Sequence, residues 1–435
     1  MACKNCGRKT TPMPGQAEFF NNNEKMSPDE EFVQNNHFGL PSKMNAGTAV
    51  PTDSFFPAML QTWMKCKFEY VWLDGKEPKG IRSKVRFKEV DIGPTSQEQN
   101  DSNVFTEEVI EEIYNNLEEW SFDGSSTNQS ETNNSDLVLK PVEMHRNLTD
   151  KPGSFIVFCE VMNTDGTPHS SNTRRELINI LNSDEYDTDE LEVSVEQEFM
   201  LLNPFNNKPI TWDLYENDIP NSCGDYYCGV GGSNVAGKEI MDPFLKACDL
   251  FRIPLTGYNA EVELGQWEYQ TEKMNVLDAA DKLWFSRYIL AKVSESRNAR
   301  VSYDPKPAGE EFNGSGCHVN FSTKYMREEA SMDDMKNICK SFEDSHQEAL
   351  DHYGVDNHRR LTGKNETSKM DEFTWGEMDR SVSIRIPYET VKKDGVGYLE
   401  DRRPAANFDP YEGFSYLLKA VSNANQILKG SVSSV

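Results

Sequence analysis

The sequence predicts an α+β protein: a small β-rich amino-terminal domain at 59–150, then a larger α+β domain at 151–435. Three observations predict it. Two runs of strand-forming residues, from Lys67 to Leu73 and from Ile81 to Phe87, flank an Asp74-Gly75 turn. Beyond an acidic loop at 182–190, strand patterns alternate with long helical ones. A chain of 435 residues is also long enough for two or three domains.

In chain order, residues 1–58 are rich in Asn, Pro, Ser and charge and have little periodicity, so they read as a polar extension. Cys3 and Cys6 lie within it as a lone CxxC, better read as tail than as a zinc site. The hairpin at 67–87 opens the first domain, and the polar run 88–103, with Gly93-Pro94, marks a loop. Between Thr106 and Trp120, Val109, Ile110, Ile113, Tyr114 and Leu117 fall on one helical face. A turn of small polar residues follows at 120–127. The run 155–161, interrupted by Glu160, reads as a buried strand opening the second region. Later helices are expected at 276–298, carrying Val276, Leu277, Ala280, Leu283, Trp284 and Ile289, and at 333–353, ended by Gly354.

Composition excludes some functions. With 72 acidic and 45 basic residues the net charge is −27, a surface that repels phosphate backbones, so nucleic-acid binding is not expected. Any phosphate chemistry must then rest on local clusters of arginine. No apolar run approaches the 18 or so residues of a membrane helix. No apolar segment follows the first six residues, so a cytoplasmic chain is expected, with an organellar destination left open. Nine scattered cysteines read as reduced thiols.

The chemistry-bearing residues gather in a few blocks. In 195–199, Glu196 and Glu198 alternate along a strand and so share a face, about 7 Å apart. In 259–270, Glu261 and Glu268 stand at an odd spacing, which a turn at Gly265 would bring to one cavity. Glu263 reads as a surface carboxylate. In 313–323, Gly314 and Gly316 allow close backbone approach ahead of His318, while Glu400 sits beside two arginines. Five carboxylates and one histidine suit two or more hard divalent cations. Arg359, Arg360, Arg380, Arg385 and Arg402 complement them, although any one alone would read as an ordinary surface ion pair.

Taken together the blocks 120–127, 195–199, 259–270, 313–323, 359–367, 380–387 and 399–411, in this order, resemble the eukaryotic-type (class II) glutamine synthetases. The resemblance implies a β-grasp amino-terminal domain and a catalytic domain with a curved antiparallel sheet flanked by helices. It implies ATP-dependent ligation of ammonium to L-glutamate, with two or three Mg²⁺ (or Mn²⁺) ions per site and ATP as co-substrate. Glu198, Glu261 and Glu268 would hold one ion; Glu196, His318 and Glu400 another. Arg360, with the Asn313-Gly314 backbone, would take the substrate's α-carboxylate. Arg380 and Arg402 would face the transferred phosphoryl group and Arg385 the ATP phosphates, with Asn320, Ser322 and Tyr398 around the nucleotide. Asp123, Ser126 and Tyr226 match the ammonium pocket, and Glu366 the flap that closes it. A homo-oligomer, two stacked pentameric rings with sites between subunits, is implied as well. Departures are Asp379 where the family has Asn, the long extension, the insert at 93–118, and Val396 before Gly397. The competing expectations are a γ-glutamyl-amine or polyamine ligase of the same fold, or a non-catalytic structural relative.

Overall fold

The computed structural model describes residues 63–92, 105–212 and 226–432. The expected extension at 1–58 and residues 93–104 of the insert lie outside the described residues.

β1 (Trp63–Leu73) and β2 (Ile81–Asp91) form the expected antiparallel hairpin, with Leu73 opposite Ile81. Alternation along β1 sends Cys66, Phe68, Tyr70 and Trp72 into a small core. α1 (Glu107–Asn115) starts where Thr106 caps it, its hydroxyl accepting from the Val109 N–H at 3.3 Å. The helix buries Ile113 in that core and ends at Asn115 rather than Trp120, because Trp120 already begins β3 (Trp120–Asp123). β4 (Asp136–Arg146) and β5 (Ser154–Met162) complete a five-stranded sheet in the order β2-β1-β5-β4-β3.

β5 differs from its sequence reading. Expected to open the second region, it is the middle strand of the first sheet, parallel to β1 and antiparallel to β4. It is buried along most of its length, and a strand covered on both faces carries no alternation to show which sheet it joins.

After α2 (Thr173–Leu181) comes β6 (Glu192–Leu202), the hub of a nine-stranded sheet. The chain continues through α3 (Lys238–Leu250), β7 (Leu255–Ala260), β8 (Gln266–Thr271), β9 (Met274–Asn275), α4 (Val276–Glu295) and β10 (Arg300–Ser302). It goes on through β11 (Cys317–Ser322), α5 (Lys324–Glu328), α6 (Met332–Ser341), α7 (His346–His352), β12 (Trp375–Glu377), β13 (Ile384–Ile386), α8 (Tyr388–Lys392), β14 (Leu399–Asp401) and α9 (Pro410–Val432). The sheet runs β12-β13-β14-β11-β6-β8-β7, with β9 and β10 also pairing to β6. Its pairs are antiparallel except β12 with β13.

Val193, Val195 and Phe199 of β6 point into a large core shared with α4 and α9, through residues such as Leu283, Phe285, Phe414 and Leu418. Gln197, on the same buried face, accepts from Nε and Nη2 of Arg287 on α4 at 2.9 and 2.7 Å. Arg287 also donates to the Phe408 and Ala406 carbonyls, which ties the strand to the helix behind it. The helix expected at 333–353 is interrupted between α6 and α7. The interruption leaves His346 buried against Arg403, 3.2 Å away, and Gly354 follows at φ +102°. No described helix is long and apolar enough to cross a membrane.

Candidate active site

The face of β6 opposite the core carries Glu196 and Glu198. Strand register does the rest: His318 of β11 lies opposite Glu196, and Glu268 of β8 opposite Glu198. Across β11, Asn320 pairs with Glu400 of β14, which pairs in turn with Arg385 of β13. Glu261 follows directly on β7. The chain turns between Glu263 and Gln266 through Gly265 at φ +91°, the turn expected from the sequence, so Glu261 and Glu268 meet on one side.

His318 Nδ1 lies 3.6 Å from Glu196 and 3.5 Å from Glu400. The three ligand atoms fall within 4.8 Å of one another, as no other trio of potential ligands does among the described residues. That nitrogen is buried and has no hydrogen-bond partner. Burial, then the guanidinium groups of Arg402 and Arg360, hold the imidazole well below its ordinary pKa, so it is neutral. A neutral imidazole with an unsatisfied nitrogen between two carboxylates fits a divalent cation. Glu400 is held on the other side by Arg402 at 2.6 Å and Arg385 at 2.8 Å.

Glu198, Glu261 and Glu268 have no such partners. Burial pushes Glu198 up to about 7, the facing Arg360 and the Gly316 N–H only partly opposing it. Burial and then the charge of Glu198 push Glu261 up to about 8. Glu268 is raised well above the usual range by burial and by Glu196, Glu198 and Glu261. Like charges gathered out of water are costly unless protonated or bridged by a cation.

Arg360 is buried and donates to the Arg402 carbonyl at 2.8 Å, and its Nη2 lies 3.2 Å from His318 Nε2. Gly314 and Gly316 make room for it: a Cβ on Gly314 would stand 2.8 Å from Arg360 Cγ, and one on Gly316 2.6 Å from Nη2. The glycines expected to let backbone approach a ligand thus also let this arginine reach the cavity.

One cavity of about 580 Å³ is lined by Glu196, Glu198, Glu261, Glu268, Asn313, Gly314, His318, Arg360, Glu366, Arg380, Arg385 and Arg402. Glu400, almost wholly buried, lies behind His318. An adjoining cavity of about 500 Å³ takes in Asn320, Ser322 and Tyr398, with Glu196 and Gln270 common to both. Asn320 Nδ2 donates to Glu196 at 2.9 Å across that junction.

Besides Glu400, three sequence-selected residues, Asp123, Ser126 and Tyr226, line neither cavity. Asp123 ends β3 on the first sheet, exposed, and accepts from the hydroxyls of Ser125 at 2.7 Å and Ser126 at 2.6 Å. Those hydroxyls hold its carboxyl down at about 2. Tyr226 is replaced in the lining by its neighbour Tyr227. Tyr227, Asn259, Gln270, Asn365 and Thr367 also line the main cavity and were missed. Gln270 was within reach, two residues along the same strand face as Glu268. The Tyr227 choice depends on loop geometry that a Tyr-Tyr pair does not encode. Glu263 corrects its sequence reading: it is 1% exposed, not a surface group, because the turn tucks it under the glycine-rich loop, where it accepts from the Asn313 N–H at 3.0 Å.

Residues 171–424 match the family model described as the glutamine synthetase catalytic domain. A glutamine synthetase of Fusarium solani subsp. phaseoli is 43% identical over 300 residues, 69% of this chain and 83% of that protein. A Pinus sylvestris protein named glutamine synthetase cytosolic isozyme is 36% identical over 343 residues, 79% of this chain and 90% of its own length. A Brassica napus protein named glutamine synthetase, chloroplastic, is 36% identical over 79% of this chain and 75% of its own. With that extent of similarity, and with the carboxylate, histidine and arginine side chains of those blocks facing one cavity, the chain belongs to the glutamine synthetase family.

Proposed function

We propose that the cavity is a glutamate–ammonia ligase site, forming glutamine, ADP and phosphate from glutamate, ammonia and ATP. The observation that carries the reading is the opposition, in one cavity, of a metal-type carboxylate and histidine cluster to Arg360, Arg380, Arg385 and Arg402. Glu196, His318 and Glu400 would hold one Mg²⁺ or Mn²⁺ ion, and Glu198, Glu261 and Glu268 another. Such ions, when bound, neutralise phosphate charge.

Arg360 and the Asn313-Gly314 backbone receive the α-carboxylate end of glutamate. The adjoining cavity, with Asn320, Ser322 and Tyr398, receives the nucleotide, and Arg385 its phosphates. The γ-carboxylate oxygen attacks the γ-phosphorus of ATP and ADP leaves, giving γ-glutamyl phosphate. Arg380 and Arg402 offset the charge spread over the transferring group. Ammonium is drawn to carboxylates as a cation, and its proton passes to Asp123. Ammonia then attacks the acyl carbon and expels phosphate. Ser126 and a tyrosine of the 226–227 pair complete that pocket, and Glu366 covers the acyl phosphate.

Asp123 stands exposed on the first sheet, away from the cavity lining, which supports a ring in which it serves a neighbouring copy, most simply two stacked pentamers. Asp123→Ala and Glu400→Ala chains, each inactive alone, then regain about a quarter of normal activity in mixed rings. The reading places the enzyme in the cytoplasm. Its test is a product assay with ATP and glutamate, offering ammonia, methylamine and putrescine side by side. Glutamine is the expected product, and preferential formation of a γ-glutamyl amine would overturn the reading.

A further inference from the structure

Glu263 sits at the turn between β7 and β8, between the carboxylates Glu261 and Glu268, yet it does not line the cavity. Its side chain is buried beneath the loop 312–315. Oε1 accepts from the Asn313 N–H at 3.0 Å, and Oε2 is buried without a partner. The other end of the same peptide unit, the Phe312 carbonyl, accepts from Nζ of Lys306 at 2.6 Å, and Lys306 is itself only 4% exposed. One peptide plane is therefore held between a buried carboxylate and a buried ammonium, its dipole aligned with both.

The next plane but one is held in the same manner. The Gly314 carbonyl accepts from Gln266 Nε2 at 2.9 Å, and the Ser315 N–H donates to the Pro305 carbonyl at 3.0 Å. Between these two fixed planes lies the peptide joining Asn313 to Gly314. Its C=O and N–H make no hydrogen bond to another described residue, and both residues line the cavity beside Arg360. A C=O acceptor and an N–H donor presented together next to a guanidinium match the ammonium and carboxylate of an α-amino acid.

We propose that Glu263 is a positioning residue for the amino-acid substrate: it fixes the plane ahead of the Asn313–Gly314 peptide, and so the direction in which that peptide meets the substrate. This rests on the ligase reading above and extends it to a residue that touches neither substrate nor metal. It gives a role to a buried carboxylate whose second oxygen is left without a partner, a costly arrangement in itself.

The test compares Glu263→Met, of similar volume but with no acceptor, with Glu263→Gln, which keeps Oε1. In Glu263→Met the glutamate KM rises about tenfold, the scale of one lost hydrogen bond to a charged group. The ATP KM moves less than about twofold, because the nucleotide cavity lies beyond Glu196. Glu263→Gln restores the glutamate KM to within about twofold of wild type. Lys306→Met, acting on the same plane, produces the same selective rise, and the double variant is less than additive. An unmoved glutamate KM in Glu263→Met, an equal rise in both KM values, or failure of Gln to restore binding overturns the proposal. If Glu263→Met does not fold, an unmoved glutamate KM in Lys306→Met does so. Wild type run alongside separates the two claims: no glutamine from wild type defeats the ligase reading, whereas glutamine with an unmoved KM in the variant defeats only this inference.

Discussion

The two sides of the cavity treat negative charge differently. On the β14 side, Glu400 is clasped by Arg385 and Arg402, and Arg360 Nη2 stands 3.2 Å from Nε2 of the neighbouring His318. On the β8 side, Glu198, Glu261 and Glu268 find mostly dipoles. These are the Gly316 N–H at 2.9 Å, the Val262 N–H at 3.1 Å, the Asn259 amide at 3.0 Å, and the Gln270 amide. Fixed guanidinium charge neutralises the first side from within. Dipoles only soften the second, so its stability depends on what arrives from solvent. The same residue type therefore has two roles, set by its neighbours.

The largest expected effect breaks the first side. Glu400→Ala removes a metal-type ligand and leaves Arg385 and Arg402 facing each other without a carboxylate. Glutamine formation should fall about a thousandfold, the scale of an uncompensated buried charge. His318→Ala should follow it closely. Steady-state rates at saturating Mg²⁺ decide the point: if either variant keeps wild-type activity, the trio of Glu196, His318 and Glu400 is not a working ligand set.

On the second side the effect should be smaller and of another kind. Glu268→Gln keeps the shape of the side chain but removes one of three repelling charges. The Mg²⁺ concentration for half-activation should rise roughly 10- to 100-fold, while the rate at saturating metal recovers. A loss of rate that metal cannot repair would erase the difference between the two sides.

A third measurement tests the charge argument without catalysis. Glu198 and Glu261 are raised in the folded chain from the ordinary 4.5 to about 7 and about 8. Folding therefore favours their protonated forms. That contribution is fully present below about 4.5 and is lost as pH rises through 7 and 8. Metal-free protein should melt several degrees lower at pH 8.5 than at pH 6. Added Mg²⁺ should recover more of that loss at the higher pH, and Glu268→Gln should flatten the metal-free dependence. Equal stabilisation by Mg²⁺ at both pH values would contradict the repulsion.

Much of this geometry was legible in the sequence because strand alternation is local. Glu196 with Glu198, and the turn at Gly265, needed no partner strand to be read. The β1–β2 hairpin and α4 were readable for the same reason: a turn dipeptide marks one, an apolar face the other. Partners were not readable. β5 joins the first sheet through a parallel pairing with β1, some 85 residues away in sequence, which no local pattern encodes. The break between α6 and α7 was hidden by a helical pattern that continues across it. Glu263 was misread because alternation places a carboxylate on a face without saying what covers that face. Asp123 was picked by resemblance, yet its distance from the cavity lining follows from the packing of whole sheets.

The smallest expected effect concerns neither side but the segment between them. Asn365 and Glu366 are successive non-glycine residues in the left-handed region, at φ +52° and +59°, and both line the cavity. Two such residues in a row are strained, as in loops that change conformation around a ligand. The Glu366 carbonyl accepts from Arg402 Nη2 at 3.3 Å, so this loop is tied by backbone to the guanidinium that also holds Glu400. The Glu366 side chain itself is exposed. If it covers an acyl phosphate, removing it should admit water without preventing phosphorylation. Glu366→Gln keeps the side-chain length and should stay close to one phosphate per glutamine. Glu366→Ala should release about two phosphates per glutamine while the rate of ATP cleavage changes little. The two variants share the strained backbone, so a difference between them belongs to the side chain. Counting phosphate against glutamine in the same reaction decides it, and a ratio of one in Glu366→Ala would mean that water is excluded by other groups.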